Sequence, residues 1–202
     1  MGPLFALAQT ASRFGLWLGG ALILLSALVI GVDVVLRKAL ALSVGGADEL
    51  GGYALAIGTA WGLSAALLDR NHIRIDSLYL LFPDWLRAAL DILGLLAFSA
   101  VFGLIGWHAI GVVDQSLTAG SRSMSALQTP LALPQGIWLA GLGLFLAVAA
   151  LLLVRALTML GRRDVVGIVR LIGVRTAKEE ATDEVRSAEA VHMRIGGEER
   201  RS

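Results

Sequence analysis

The sequence predicts an all-α integral membrane protein with four transmembrane helices. Four stretches of the 202-residue chain lack Asp, Glu, Lys and Arg, and each holds at least 19 residues. A helix of about 20 apolar residues crosses the ~30 Å hydrocarbon layer. All four prolines lie outside these stretches, and no stretch has the polar face that a soluble helix of this length carries. The stretches are Phe14–Val32, Leu50–Leu68, Ile92–Val113 and Gly136–Val154.

The helical flanks of these stretches lengthen the predicted spans. The chain as a whole divides into three predicted regions. The spans are approximately 14–36, 48–68, 84–114 and 134–157, within a membrane domain over 1–160. Residues 161–175 mix Arg with apolar side chains at helical spacing, which predicts a basic amphipathic helix on the membrane surface. Residues 176–202 are highly charged and have few bulky apolar side chains, which predicts a disordered tail.

The composition excludes several classes of function. The chain is 56% apolar with a mean hydropathy of +0.75, and its formal net charge of +1 gives no case for nucleic-acid binding. It contains no Cys, which excludes disulfides, thiolate metal sites and cysteine nucleophiles.

The distribution of Lys and Arg predicts that both termini lie on the cytoplasmic side. Eight of these residues flank the spans on the side of the N-terminus, and three flank them on the opposite side. The positive-inside rule therefore predicts an N-in/C-in topology.

Two polar segments border the spans. Asp33 and Arg37, four residues apart at the end of span one, are predicted to pair on one helical face. In the loop after span two, we expect His72 to hydrogen-bond neighbouring backbone or partner groups. Asp76 is expected to cap a short interfacial helix, Ser77–Phe82, that stops before Pro83.

Span two carries a small residue at every fourth position, which favours close approach of another helix. We name Ala54, Gly58, Gly62 and Ala66 the small-residue stripe. Glu49 lies in the first turn of this span, where the positive end of the helix dipole favours an acid. We expect Glu49 near the outer edge of the stripe's helix contact.

The predicted spans lack the residue patterns of haem binding and ion coupling, and the sequence lacks common catalytic motifs. His108 is the one His within a span, and a membrane haem with two His ligands needs a second. The middle of each span lacks the ionisable groups that mark proton- and ion-coupled carriers. The sequence also lacks a Walker loop, a zinc-spaced His–Glu cluster and a Gly-x-Ser-x-Gly turn. We therefore expect the chain to be a scaffold or an anchor, with no enzymatic activity and no bound cofactor.

Several motifs, in order, resemble those of the small membrane subunit of tripartite ATP-independent periplasmic (TRAP) transporters, the DctQ-like proteins. That family has four spans, an acid at the start of span two, a later Gly, and a Gly/Asn-His-Ile-x-Val/Ile-Asp segment after it. The matching residues are Glu49, Tyr53, Trp61-Gly62, Asn71-His72-Ile73-Arg74-Ile75-Asp76, Ser123-x-Ser125 and Pro134-x-Gly136. The resemblance covers roughly 14–157, and the chain departs from it in Ile75, where Val is commoner, and in its long charged tail.

The resemblance implies partners and a location. In such a transporter of the bacterial inner membrane, a large membrane subunit carries an organic acid by sodium symport. A periplasmic protein captures the acid, and the small subunit supports the large one in the bilayer.

Two other readings remain open from the sequence. One is a membrane-anchor subunit of another inner-membrane enzyme complex. The other is a small membrane enzyme acting on lipid, for which the polar loop 69–76 is the only candidate site.

Overall fold

A computed structural model describes residues 3–70, 79, 81–173 and 185 of the chain. These residues form five α-helices and no β-strand. The helices are α1 Pro3–Leu40, α2 Ala47–Leu68, α3 Asp84–Thr118, α4 Ala132–Gly161 and α5 Val165–Ile172.

Helices α1 to α4 are each long and apolar enough to cross a membrane. The predicted all-helical fold with four spans is therefore confirmed. Helix α1 has 38 residues, about 57 Å at 1.5 Å per residue, so it is longer than the hydrocarbon layer is thick. It begins at Pro3, before the first charged residue, Arg13, and includes the segment that precedes the predicted span.

The four long helices lie in the spatial order α1–α2–α4–α3. Helix α1 packs along α2, α2 along α4, and α4 along α3, whereas α1 touches α4 only slightly. In the most apolar 18-residue window of each helix, 39% of α2 and 33% of α4 is buried, against 11% of α1 and 17% of α3. Helices α2 and α4 are thus the inner pair, and α1 and α3 leave most of their apolar surface uncovered.

Aromatic side chains hold α3 against α4. The rings of Phe98 and Phe102 lie 5.5 and 5.1 Å from the ring of Phe145, which is fully buried. A methyl group added at Gly106 of α3 would lie 3.5 Å from the side chain of Leu142, one turn before Phe145. Leu142 and Phe145, with Phe98 and Phe102 packed against them, belong to the larger of the two apolar clusters in the described part of the chain.

We call the end of the helices where α1 begins and α4 ends the terminal end. There the Asp164 carboxylate accepts a hydrogen bond of 2.9 Å from the Gly167 backbone N–H and so caps α5. Ile168 of α5 is fully buried against α3 and α4. The basic segment 161–175 thus contains a helix that rests on the protein. Its position on a membrane surface stays a prediction, and the tail 176–202 lies outside the described residues apart from Val185.

Tyr79 is described between α2 and α3 at the same end. Its hydroxyl donates a 2.6 Å hydrogen bond to the carboxylate of Asp91, which is fully buried in α3. The Arg87 Nε donates to the Tyr79 carbonyl oxygen at 3.1 Å. These bonds tie the α2–α3 link to α3.

The opposite end, where residues 41–46 join α1 to α2 and residues 119–131 join α3 to α4, is the hairpin end. Asp33 is buried there and pairs with Arg37, which confirms the predicted pair. The Asp33 carboxylate also accepts hydrogen bonds from the Ser43 hydroxyl at 3.0 Å and the Val44 backbone N–H at 2.6 Å. The α1–α2 link is thereby fixed to the end of α1.

Candidate functional site

Two glycines bring α1 and α2 into close contact. A methyl group added at Gly19 would lie 2.8 Å from both the Cα and the carbonyl oxygen of Gly58. Real Cβ atoms do not come so close to a backbone, so the two helices touch backbone to backbone. Gly58 belongs to the small-residue stripe, and the helix against this part of the stripe is the chain's own α1.

The other members of the stripe meet less crowded surroundings. Ala54 is buried, whereas Gly62 and Ala66 are half-buried. A methyl group at Gly62 would lie 3.8 Å from Leu16 of α1, an ordinary van der Waals distance. The closest approach is therefore at Gly58. No observation tests a contact between the stripe and a partner subunit.

Trp61 connects three helices. Its Nε1–H donates a 2.9 Å hydrogen bond to the carbonyl oxygen of Ile137 in α4. A methyl group at Gly141 of α4 would lie 2.5 Å from the Trp61 ring, and one at Gly15 of α1 would lie 3.1 Å from it. The indole of α2 thus lies against glycines of both neighbouring helices.

Glu49 lies at the hairpin end in a cluster of hydroxyl groups. The Ser125 hydroxyl donates a hydrogen bond to Glu49 Oε2. The Ser123 and Ser125 hydroxyls lie 3.2 Å apart, and those of Tyr53 and Thr129 lie beside the same carboxylate. We call these five residues the Glu49 cluster. It attaches the α3–α4 link to the first turn of α2.

Hydrogen bonds between its own residues also hold the α3–α4 link together. The Ser123 N–H donates to the Thr129 carbonyl oxygen at 3.0 Å, and the Thr129 N–H donates to the Ser123 hydroxyl at 3.1 Å. Leu127 of the link covers Gly46, whose φ of +111° and contact with the Leu127 side chain both require a glycine. The cluster contains one carboxylate and four hydroxyls, an arrangement suited to holding a loop.

A cavity of about 200 Å³ lies between α2 and α4, next to the Glu49 cluster. Tyr53 belongs to both the cluster and the cavity wall. Gln135 of α4 lines the cavity, and its Oε1 is buried without a hydrogen-bond partner among the described residues. The remaining wall residues are apolar or aromatic: Ala56, Ile57, Leu131, Pro134 and Trp138.

The structure brings together some of the residues predicted from the sequence and leaves others untested. Glu49 and the small-residue stripe lie on α2, while His72 and Asp76 lie outside the described residues. Sequence reasoning did not find the contact of Trp61 with two glycines or the unpaired oxygen of Gln135. Gly15 and Gly19 of α1 are four residues apart, whereas the glycines of α4 have no regular spacing, so the signal is weak. Nothing in the sequence marks a single Gln as unpaired.

The fold and these contacts define a small multi-pass membrane protein whose described polar groups tie helices and links together. The chain belongs to the DctQ family: its residues 26–159 match the family model described as "Tripartite ATP-independent periplasmic transporters, DctQ component". The resemblance seen in the sequence is thereby confirmed, and the chain is a small membrane component of a TRAP transporter. Comparison with curated proteins and with solved structures gave no significant match.

Membership of the family carries consequences for function. The family is a transporter component, not an enzyme. It implies partnership with a large membrane subunit and with a periplasmic binding protein in the tripartite system. A location in the bacterial inner membrane follows from the family and agrees with the four membrane-spanning helices.

Proposed function

We propose that this chain scaffolds the large, sodium-coupled membrane subunit of a TRAP transporter, which takes up an organic acid delivered by a periplasmic binding protein. The sodium ions bind the large subunit, and this chain holds no cofactor. The family match over 26–159 is the observation that carries the proposal, because it covers most of the region that forms the four spans.

Three features of the chain support a scaffolding role. Helices α1 and α3 leave most of their apolar surface uncovered, so a wide membrane-embedded surface is available to a partner. The middle of each long helix carries no charged side chain that could bind a transported ion. At the hairpin end, Asp33 Oδ1 and Glu49 Oε2 accept hydrogen bonds that fix the links to the helices.

The proposed orientation is N-in/C-in, with the hairpin end in the periplasm. The excess of Lys and Arg, eight residues against three, favours this orientation. The hairpin end, which carries the Glu49 cluster, then faces the compartment of the binding protein. The interfacial helix over 77–82 and the surface position of 161–175 are part of the same proposal.

Reporter fusions test the orientation. A reporter that works only in the periplasm should be active when fused at Ser121 and inactive when fused after Arg163. The opposite pattern would overturn the N-in/C-in topology without affecting the family assignment.

Reconstitution tests the scaffolding function. Liposomes should accumulate the organic acid only when they contain this chain and the large subunit, with the binding protein and a sodium gradient outside. Liposomes with this chain alone should take up nothing. Uptake by this chain alone, or full uptake by the large subunit alone, would contradict the proposal.

A further inference from the structure

The cavity between α2 and α4 has an unusual distribution of polar atoms. Tyr53, Gln135 and the indole of Trp138 are the wall residues with polar side-chain atoms, and the cavity is partly open to the surroundings. Gln135 lies in the first turn of α4, so the cavity is near the hairpin end, below the α3–α4 link. Helices α1 and α3 lie on the outer sides of α2 and α4, and none of the residues that line the cavity belongs to either of them.

Two buried acceptor atoms lie at or beside this cavity without a donor. Gln135 Oε1 has no hydrogen-bond partner within the described part of the chain. Glu49 Oε1 has none there either, although Oε2 of the same carboxylate accepts from Ser125. The Tyr53 and Thr129 hydroxyls lie beside the same carboxylate.

Unpaired acceptors are unfavourable in an apolar environment, and buried polar groups in folded proteins almost always have partners. Both unpaired atoms here are oxygens that accept, and one belongs to a carboxylate. The missing partner must therefore supply an N–H or O–H, and a cationic donor would be favoured by the carboxylate.

We propose that this cavity receives a hydrogen-bond-donating side chain of the large membrane subunit, and that Gln135 is its main acceptor. The inference rests on the proposed function, because it names the surface through which the scaffold acts. Glu49, which lies beside Tyr53 of the cavity wall, holds the α3–α4 link through Ser125.

A protein side chain fits this surface better than a lipid does. A lipid acyl chain has no N–H or O–H and would leave Gln135 Oε1 unpaired. A side chain fixed on a partner helix keeps its donor at one depth, whereas exchanging lipid would leave the acceptor repeatedly without a partner. A hydrogen bond of this kind also suits helix association in lipid, where apolar contact alone gives little driving force.

The first test replaces the acceptor with an apolar side chain of similar size, Gln135→Met. The small and large subunits are co-expressed, and the amount of large subunit that binds the small one is titrated in mild detergent. One lost interhelical hydrogen bond should weaken the association about 3- to 20-fold. Gln115→Met is the matched control, since Gln115 is exposed at the hairpin end of α3.

The stability of the small subunit alone separates a partner contact from an internal role. Gln135→Met removes an unpaired buried oxygen, so the midpoint of thermal unfolding of the subunit alone should stay the same or rise. A lower midpoint together with normal association would show that Gln135 serves its own chain and would overturn the inference. If no large subunit binds the unaltered chain, the proposed function fails. If it binds the unaltered chain and Gln135→Met equally, only this inference fails.

The second test measures access to the cavity. The chain contains no Cys, so a single Cys in place of Ala56, an exposed residue of the cavity wall, can be labelled selectively with a membrane-permeant maleimide. Labelling should be fast for the subunit alone in liposomes and at least tenfold slower in the complex. Slow labelling of the subunit alone in liposomes would show that lipid fills the cavity, and equal fast labelling in both would show that the large subunit does not cover it.

Discussion

Helix α2 contacts its two neighbours in different ways. On the α1 side, Gly19 and Gly58 bring the two backbones into contact, and the Ile23 side chain of α1 also lies against Gly58. On the α4 side, the Trp61 indole fills the space beside Gly141 and donates a hydrogen bond to the carbonyl oxygen of Ile137. Lipid is as apolar as these helices, so association depends on close packing and on interhelical hydrogen bonds. The contact of α2 with α1 depends on close packing, and its contact with α4 depends on close packing and on an interhelical hydrogen bond.

The two contacts should respond differently to the same change. A methyl group between two backbones can be accommodated only if a whole helix moves. A methyl group against an indole requires the ring to move, which also breaks the hydrogen bond to Ile137. The four substitutions below test this difference, and each is measured by thermal unfolding in detergent and by unfolding in SDS.

The largest effect is expected for Gly19→Ala. The new methyl group would lie 2.8 Å from the Gly58 Cα, which forces α1 away from α2. We expect a loss of about 1–3 kcal/mol of stability, the usual range for overpacking. Gly20→Ala is the control, because nothing lies within 4 Å of the added group. Equal behaviour of the two variants would contradict the backbone contact.

A smaller loss is expected for Gly141→Ala. Its methyl group would lie 2.5 Å from the Trp61 ring, and the ring can turn away at the expense of its hydrogen bond. We expect about 1–2 kcal/mol, together with a shift in Trp fluorescence. Gly143→Ala has no neighbour within 4 Å and should be neutral. An unchanged fluorescence spectrum in Gly141→Ala would argue against the position of the indole.

Trp61→Phe removes the N–H donor and keeps most of the ring. Interhelical hydrogen bonds in membranes contribute about 0.6 kcal/mol on average, and we expect a loss near this value. The double variant of Trp61→Phe with Gly141→Ala should lose less than the sum of the single variants, because the smaller ring leaves room for the methyl group. Strict additivity would show that the two residues do not interact.

The smallest effect is expected for Gly62→Ala. The added methyl group would be 3.8 Å from Leu16, so it fits without movement. We expect stability to change by less than about 0.5 kcal/mol, the usual limit for substitutions that disturb no contact. A marked loss would mean that α1 approaches α2 at Gly62 as closely as at Gly58. Normal stability with loss of the large subunit would instead support a partner contact at Gly62.

Much of this fold could be predicted from the sequence, because an uncharged run of 19 or more residues is a strong signal for a span. The signal marks the apolar part of a helix and not its ends. Helix α1 begins at Pro3, eleven residues before the uncharged run. Gln9, Thr10 and Arg13 interrupt the apolar sequence in this segment, but a helical backbone accommodates all three.

The partner of each helix face could not be predicted in the same way. The small-residue stripe of α2 indicates close packing, but Gly15 and Gly19 of α1 and Gly141 of α4 offer comparable surfaces. Only the folded arrangement shows that Gly58 meets α1. The unpaired oxygen of Gln135 is also a property of the packed helices, since it depends on which groups of α2 and the α3–α4 link lie nearby.

The order α1–α2–α4–α3 has a consequence for how the chain enters the membrane. The mean hydropathy of the most apolar 18-residue window is lowest in α2, at 1.3, and lies between 2.2 and 2.7 in the other three spans. Its neighbour α1 is synthesised before it and can receive it in the bilayer. Helix α3 packs on α4 and α5, which are both synthesised later, so it must remain in lipid without its neighbours until α4 arrives between α2 and α3. Helix α2, the least apolar span, therefore enters the bilayer beside α1, which is already there. Helix α3 has to wait for α4, and its hydropathy of 2.2 is high enough for it to remain in lipid alone.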